Sequence, residues 1–198
     1  MKRLFDIVVS GVGLTMLLPV FLVLAIWIKI NSPGPVFFRQ IRVGKNNRDF
    51  SLYKFRSMRL NSHLQGLITI GNRDSRVTSS GYYIRKYKLD ELPQLINVFI
   101  GNMSLVGPRP EVRKYVDLYT QDQLKVLSVL PGITDMASVK YRNENELLGK
   151  AANPEKFYIE QIMPDKLKYN LEYIEKRSLL SDFSLIFKTL IEIFKSRL

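Results

Sequence analysis

The chain has 198 residues and a mass of 23.0 kDa, enough for one domain with a sizeable core and at most an appendage. A formal charge of +12 and a pI of about 9.9 point to polyanionic partners: nucleic acid, anionic lipid or a phosphorylated substrate. The absence of cysteine and the single histidine, His63, exclude a disulfide framework, a thiolate metal site and a cysteine nucleophile, and argue against a histidine-based triad.

Residues Ile7 to Ile28 carry no charge, a run that meets the ~20-residue criterion for a membrane helix. A cleavable signal would end in a small-residue site after a short apolar stretch, whereas this run continues through Phe21 and Leu24 to Trp27, so it is expected to be retained. Pro19 interrupts it, and each half reaches only about 16 to 18 Å against ~30 Å of hydrocarbon. Lys2 and Arg3 precede the run, while Lys29, Arg39, Arg42, Lys45 and Arg48 follow it. A helix broken at Pro19 that dips into one leaflet and returns keeps both basic clusters on one face, with Lys2 and Arg3 among the lipid headgroups. The competing arrangement is a proline-kinked single span.

After Asn31-Ser32-Pro33-Gly34-Pro35, strand-like pieces at Val36-Phe37-Phe38 and Phe50 to Phe55 flank a Gly44-Lys45-Asn46-Asn47 turn, which predicts a small hairpin. Arg59 to Ser80 is polar and aperiodic, a loop or irregular helix; His63, within it, reads as a surface residue. In the next stretch Leu92, Leu95, Ile96 and Phe99 share the face of a short helix that stops at Gly101. Proline is tolerated only in a helix's first turn, so Pro93 puts the start near Asp90, a candidate N-cap. Asp90 and Glu91 then point about 100° apart, suiting two different tasks rather than one shared proton. Glu111 to Leu130 reads as a helix ending before Pro131-Gly132. Further helices are expected from Pro154 to Met163, capped by Asn153, and from Pro164 to Lys176. Ser181-Asp182 opens a last helix, 181–198, whose Phe183, Ile186, Phe187, Leu190 and Phe194 oppose Lys188, Lys195 and Arg197. It fits either a membrane interface or the protein's own core.

Several motifs in one order carry a resemblance to a family. They are Lys2-Arg3-Leu4-Phe5-Asp6, Gly34 through Gly44, Tyr53-Lys54-Phe55-Arg56-Ser57-Met58, Leu89-Asp90-Glu91-Leu92-Pro93-Gln94, Met103 through Pro110, and Pro131-Gly132-Ile133-Thr134. Over nearly its whole length the chain resembles the bacterial sugar transferases of the small monotopic polyprenyl-phosphate phosphoglycosyl transferase family, in the form of a minimal catalytic core without the N-terminal spans of larger relatives. The resemblance implies a mainly α fold with a small β-hairpin. It implies a re-entrant membrane helix at 1–30 and a cytoplasmic catalytic domain at 31–198, on the inner membrane of a bacterium. The implied reaction moves a sugar 1-phosphate from a UDP-sugar to a polyprenyl phosphate such as undecaprenyl phosphate, releasing UMP, as a membrane step of polysaccharide or glycoconjugate assembly. Asp90 is the implied nucleophile, forming a covalent aspartyl phospho-sugar, with Glu91 beside it and Mg2+ as cofactor held by Asp90 or Glu91.

The residues agree with that chemistry, because a carboxylate attacks phosphorus only where the diphosphate charge is masked by metal or cationic clamps. Lys54, Arg56, Arg85 and Arg109 are the candidates, Arg109 being held between two prolines. Two segments depart from the family's pattern. Leu18-Pro19 stands where relatives have Ser-Pro, so a hydroxyl able to satisfy freed backbone groups is missing. Asp135-Met136-Ala137-Ser138 follows Thr134 where Gly-Trp-Ala-Gln is usual, which leaves the donor sugar open. A different class of protein, a non-catalytic membrane-surface adaptor for anionic partners, also fits the charge. It leaves the context of Asp90-Glu91 and Pro108-Arg109-Pro110 unexplained, and no nucleic-acid-binding module is visible. A homo-oligomer is compatible with the sequence, which does not determine it.

Overall fold

The computed structural model describes residues 1–62, 74–141 and 143–195; His63 and Arg142 lie outside them. The fold is mostly helical. It opens with α1 (Lys2–Met16) and α2 (Leu18–Asn31), which meet at a 59° bend. No described helix is long and apolar enough to cross a membrane alone, and only this bent pair is so by length and composition. Leu17 is the bending residue, and Pro19 falls in the first turn of α2, where its missing N–H has no helical partner to lose. Close to the break, Thr15 Oγ1 donates to Gly11 O at 3.0 Å. Leu4, Val8, Val12 and Met16 of α1 and Leu22, Val23, Ile26 and Ile30 of α2 are exposed.

The hairpin forms as expected, β1 (Phe37–Val43) pairing antiparallel with β2 (Asp49–Phe55) in a register running from Phe37↔Phe55 to Val43↔Asp49. Asn46 and Asn47 take positive φ at the turn, a conformation asparagine tolerates better than most residues. Two helices and a strand follow: α3 (Ser79–Lys86), α4 (Gln94–Ile100) and β3 (Ser104–Val106), the last running parallel to β4 (Gly132–Thr134). Gly132 is required there, since a Cβ would lie 2.1 Å from Gly107 N. Gly101 ends α4 at φ 98°, as a left-handed cap should.

The expected helix over Glu111 to Leu130 is instead a series of short turns, α5 (Arg113–Val116), α6 (Gln121–Leu124) and a 3-10 turn at Lys125–Ser128. Thr120 and Gln123 form a reciprocal capping box that starts a new helix in the middle of the segment. Following β4 come α7 (Met136–Lys140), α8 (Glu144–Lys150), α9 (Pro154–Phe157) and α10 (Met163–Lys176). Asn153 caps α9 through Lys156 N, as expected. A π-helical stretch at Tyr158–Ile162 joins α9 to α10, a wide turn that accommodates the donor missing at Pro164.

The last helix, α11 (Leu179–Lys195), starts two residues earlier than Ser181-Asp182, because Ser178 and Ser181 cap each other's backbone N–H groups. That releases Asp182 to face inward. Leu185 and Asp182 are buried while Phe183, Phe187 and Ile191 are exposed, and Phe183 meets Phe5 edge-on at 5.0 Å. The exposed apolar edges of α1 and α11 therefore adjoin.

Candidate active site

Asp90 and Glu91 sit at a tight reversal between α3 and α4. Lys88 adopts a left-handed conformation at φ 56°, turning the chain into a 3-10 turn at Leu89–Glu91 that is closed by Leu92 N donating to Leu89 O at 3.3 Å. Pro93 cannot donate the bond that would fuse this turn with α4, so the helix begins at Gln94 with Pro93 as its N-cap residue. The expectation that Asp90 caps the helix is thus corrected. The correction has chemical weight, since the Asp90 carboxylate is not spent on first-turn amides. Asp90 is 9% exposed and its buried Oδ1 has no hydrogen-bond partner.

Glu91, by contrast, is fully engaged. Lys54 Nζ donates to Oε1 at 3.2 Å, and Arg109 grips the carboxylate with both terminal nitrogens, Nη1 to Oε2 at 3.3 Å and Nη2 to Oε1. Burial pushes the Glu91 carboxyl up, but Arg109 and Lys54 together outweigh it and hold the group well below the usual glutamate range. Glu91 in turn holds the Arg109 guanidinium above its ordinary value, while burial draws Lys54 down against Glu91's pull. Asp90 moves the other way: burial first, then the neighbouring Glu91 charge, raise it above the ordinary aspartate range, opposed by Lys54, Arg85 and Lys88. Two adjacent carboxyls therefore sit in opposite environments, one an ionised clamp and one a partnerless group among cations.

Each clamp is fastened from behind. Lys54 lies on β2, and Asn97 of α4, fully buried, pins that strand by accepting from Tyr53 N at 2.9 Å and donating to Ser51 O at 2.7 Å. This fixes the height of Lys54 against the turn that carries Glu91. The Pro108-Arg109-Pro110 loop is held by Gly132 N donating to Pro108 O at 2.9 Å and by Arg42 Nη1 donating to Pro110 O at 3.0 Å. Asp135, almost fully buried, caps α7 through Ser138 N at 2.9 Å and adds its charge behind Arg109. The departing Asp135 to Ser138 segment is therefore a helix start whose capping carboxylate acts on Arg109.

The structure brings Asp90, Glu91, Lys54 and Arg109 together, with Arg85 close enough to act on Asp90. Lys88 joins them although sequence reasoning passed over it; its signal was only its position two residues before the acid pair. Arg56 is placed elsewhere. It is buried and its terminal nitrogens bind the carbonyls of Pro33 and Ser32, the latter at 2.8 Å, so it caps the exit of α2 rather than facing the pair. Lys2 and Arg3, expected among lipid headgroups, also make bonds within the fold. Lys2 Nζ donates to Val106 O at 2.9 Å and pairs with buried Asp182 at 2.6 Å, and Arg3 donates to Val98 O and Phe99 O at the end of α4. Asp6, also buried, accepts from Leu105 N at 3.1 Å.

Among the described residues no group of three or more His, Cys, Asp or Glu side chains forms a metal cage. The donor set instead suits a magnesium ion that brings most of its shell as substrate phosphate and water. Asp90 Oδ1 is the partnerless oxygen on offer, whereas both Glu91 oxygens are taken.

The family model described as bacterial sugar transferase matches residues 1–196. The chain is 41% identical over 192 residues to the UDP-N-acetylgalactosamine-undecaprenyl-phosphate N-acetylgalactosaminephosphotransferase of Aeromonas hydrophila, covering 96% of this chain and 42% of that protein. It is 37% identical over 197 residues to the UDP-glucose:undecaprenyl-phosphate glucose-1-phosphate transferase of Klebsiella pneumoniae, covering 98% and 40%. It is also 35% identical to the exopolysaccharide production protein PSS of Rhizobium leguminosarum bv. phaseoli, covering 96% and 94%. The chain thus spans about two fifths of the length of the first two relatives and nearly all of the third.

Proposed function

The chain belongs to the bacterial sugar transferase family, and on that premise we propose that it transfers a sugar 1-phosphate from a UDP-sugar to undecaprenyl phosphate at the cytoplasmic face of the bacterial inner membrane. The observation that carries the reading is the asymmetric acid pair: Asp90 with a partnerless buried oxygen beside a Glu91 neutralised by Lys54 and Arg109. Asp90 attacks the phosphorus that bears the sugar. A bond forms from its carboxylate oxygen to that phosphorus, the bridge between the two phosphorus atoms breaks, and UMP leaves with the bridging oxygen. The acceptor's phosphate oxygen then attacks the aspartyl phospho-sugar, and the bond to Asp90 breaks and restores the carboxylate.

Arg109 and Lys54 hold Glu91 ionised and keep their own charge facing the place where the diphosphate must lie. Lys88 and Arg85 offset the burial that would otherwise keep Asp90 protonated. Asp90 would be the residue to hold a magnesium ion, which would supply charge neutralisation at the reacting phosphoryl group. The bent α1–α2 pair enters and leaves the same leaflet, so that the pair of acids lies where a water-borne donor meets a bilayer-confined acceptor. The relatives' names include both N-acetylgalactosamine and glucose transfer, so the sugar is left to assay.

Purified protein with undecaprenyl phosphate, magnesium and a panel of UDP-sugars is expected to release UMP with at least one of them. Asp90→Asn is expected to abolish the release; an unchanged rate would remove Asp90 from the role of nucleophile. Single cysteines introduced at positions 2 and 45 test the topology, because labelling from opposite sides of the membrane is incompatible with a re-entrant pair.

A further inference from the structure

The short helix α3 carries an aromatic and basic surface that the donor chemistry does not use. Its rotation is fixed by close packing: Gly81 is buried against Ser57, where a Cβ would come within 1.9 Å of the Ser57 carbonyl oxygen, and Ile84 is fully buried. Asn31 at the end of α2 receives Ser80 N at 3.1 Å and Ser80 Oγ at 3.0 Å. With that side committed, Tyr82, Tyr83, Lys86 and Tyr87 are left on the exposed side. Tyr83 lies 6.1 Å from Trp27 of α2 and 5.3 Å from Tyr82, ring to ring. Lys86 Nζ stands 5.8 Å from the Tyr87 ring.

The surface is continuous at both ends with something that identifies its occupant. On one side, Trp27 belongs to the apolar face of α2, with Val23, Ile26 and Ile30 exposed beside it. On the other, the chain passes through Lys88 directly into the turn that carries Asp90, and the cations acting on Asp90 include Arg85 of α3 as well as Lys88. The helix itself, Ser79–Lys86, contains no acidic residue. Tyr and Trp rings favour the headgroup depth of a bilayer, where one part is apolar and one wet, and lysines at that depth attract anionic lipid phosphate. An occupant must therefore have an apolar chain in the bilayer and a phosphate at its surface, and must reach Asp90.

Resting on the transfer reaction proposed above, we infer that Trp27, Tyr82, Tyr83 and Lys86 form the entry site for the acceptor, with the first isoprene units of the polyprenyl chain against the rings and its phosphate handed from Lys86 towards Lys88 and Asp90. The donor half of the reaction does not need this surface, and the two halves separate in an assay. The test uses the full chain in phospholipid vesicles, with the donor that gives UMP release and undecaprenyl phosphate as the varied substrate. The Tyr83→Ser/Lys86→Gln double variant is expected to raise KM for undecaprenyl phosphate about tenfold, the loss of one ring contact and one interfacial cation. KM for the UDP-sugar and the single-turnover release of UMP without acceptor are expected to stay within about twofold. Equal losses in UMP release and overall transfer overturn the assignment, as does a fall in vesicle binding that accounts for the whole effect, which would make the surface a general lipid anchor. Tyr82→Ser alone, at a ring that is half exposed, guards against misfolding: an unaltered KM for the lipid in both variants also overturns it. If the unaltered protein gives no UMP without acceptor, the covalent intermediate fails, and the entry site is still decided by the two KM values.

Discussion

Replacing Glu91 by glutamine tests whether one carboxylate really stabilises two cations at the centre of the site. Lys54 and Glu91 side chains are 17% and 15% exposed, and Arg109 is 31% exposed, so the pair is largely desolvated while the guanidinium retains some water. Breaking a buried ion pair by removing one partner costs about 3–5 kcal/mol, because the other charge stays buried and uncompensated. Partial solvation of Arg109 moves the expectation to the lower end, about 3 kcal/mol. At about 2–4 °C per kcal/mol for a chain of this size, that is a fall in Tm of roughly 6–12 °C. Thermal unfolding of the detergent-solubilised protein at fixed pH and salt reads it directly. The double variant Glu91→Gln/Lys54→Met removes one stranded cation, and is expected to recover about 1–2 kcal/mol relative to the sum of the single changes. A Glu91→Gln protein within about 0.5 kcal/mol of the unaltered chain, or strictly additive single and double changes, would refute the idea that these charges are coupled.

Asp90→Asn is expected to lose UMP release and at the same time to gain about 1 kcal/mol of stability at neutral pH, a shift of roughly 2–4 °C, since an ionised carboxylate is being relieved from a burial that disfavours it. The sign follows from the raised pKa: Asp90 helps folding below the ordinary aspartate value of about 3.9 and becomes a penalty as pH rises through its folded value. The same shift puts the acid limb of single-turnover UMP release above the ordinary aspartate range, and a limb at or below about 3.9 would remove burial as the tuning force. Glu91 has the opposite sign, its depressed pKa giving stability that is present above about 4.3 and is lost as pH falls through the folded value. Gly132→Ala is expected to cost about 3 kcal/mol or more by driving a methyl into the Gly107 backbone at 2.1 Å, and circular dichroism with thermal melting would show the loss.

The parts of this architecture that were legible in the sequence have local causes. The uncharged run at Ile7 to Ile28, the hairpin about Gly44 to Asn47, the stop at Gly101 and the cap at Asn153 each follow from a few neighbouring residues. The split of 111–130 was also local, since Thr120 and Gln123 spell a capping box; the apolar periodicity on either side concealed it. Other features have no local sign. Ser104–Val106 and Gly132–Thr134 are too short for strand periodicity, and their parallel pairing shows only in the folded chain, where Gly107 and Gly132 also come into close contact. Arg56 stands in a motif two residues after Lys54, a spacing that would share one strand face, but β2 ends at Phe55; Lys54, still on the strand, reaches Glu91, and Arg56, past its end, reaches the end of α2. Asn97 interrupts an apolar stripe, and its partners on β2 lie more than 40 residues away in sequence.

The N-terminal Lys-Arg-Leu-Phe-Asp illustrates the same limit and gives the motif a different purpose. A cationic pair ahead of an apolar run invites a headgroup reading. In the folded chain Arg3 instead satisfies the last carbonyls of α4, where a cation also complements the negative end of the helix dipole. Lys2 and Asp6 hold the end and the middle of β3, at Val106 O and Leu105 N. The helix α4 follows directly from the turn carrying Asp90 and Glu91, and β3 leads directly to the loop carrying Arg109. The first turn of α1 therefore braces the turn carrying Glu91 and the loop carrying Arg109, and ties both to the bent α1–α2 pair. Asp182 and Tyr173 close the junction from the C-terminal side, so under the proposed function the depth at which α1 and α11 rest against lipid would set the height of Asp90. For the proposed transfer between a water-borne donor and a bilayer-confined acceptor, a fixed height of this kind is what Lys2 and Arg3 would contribute by bracing the fold.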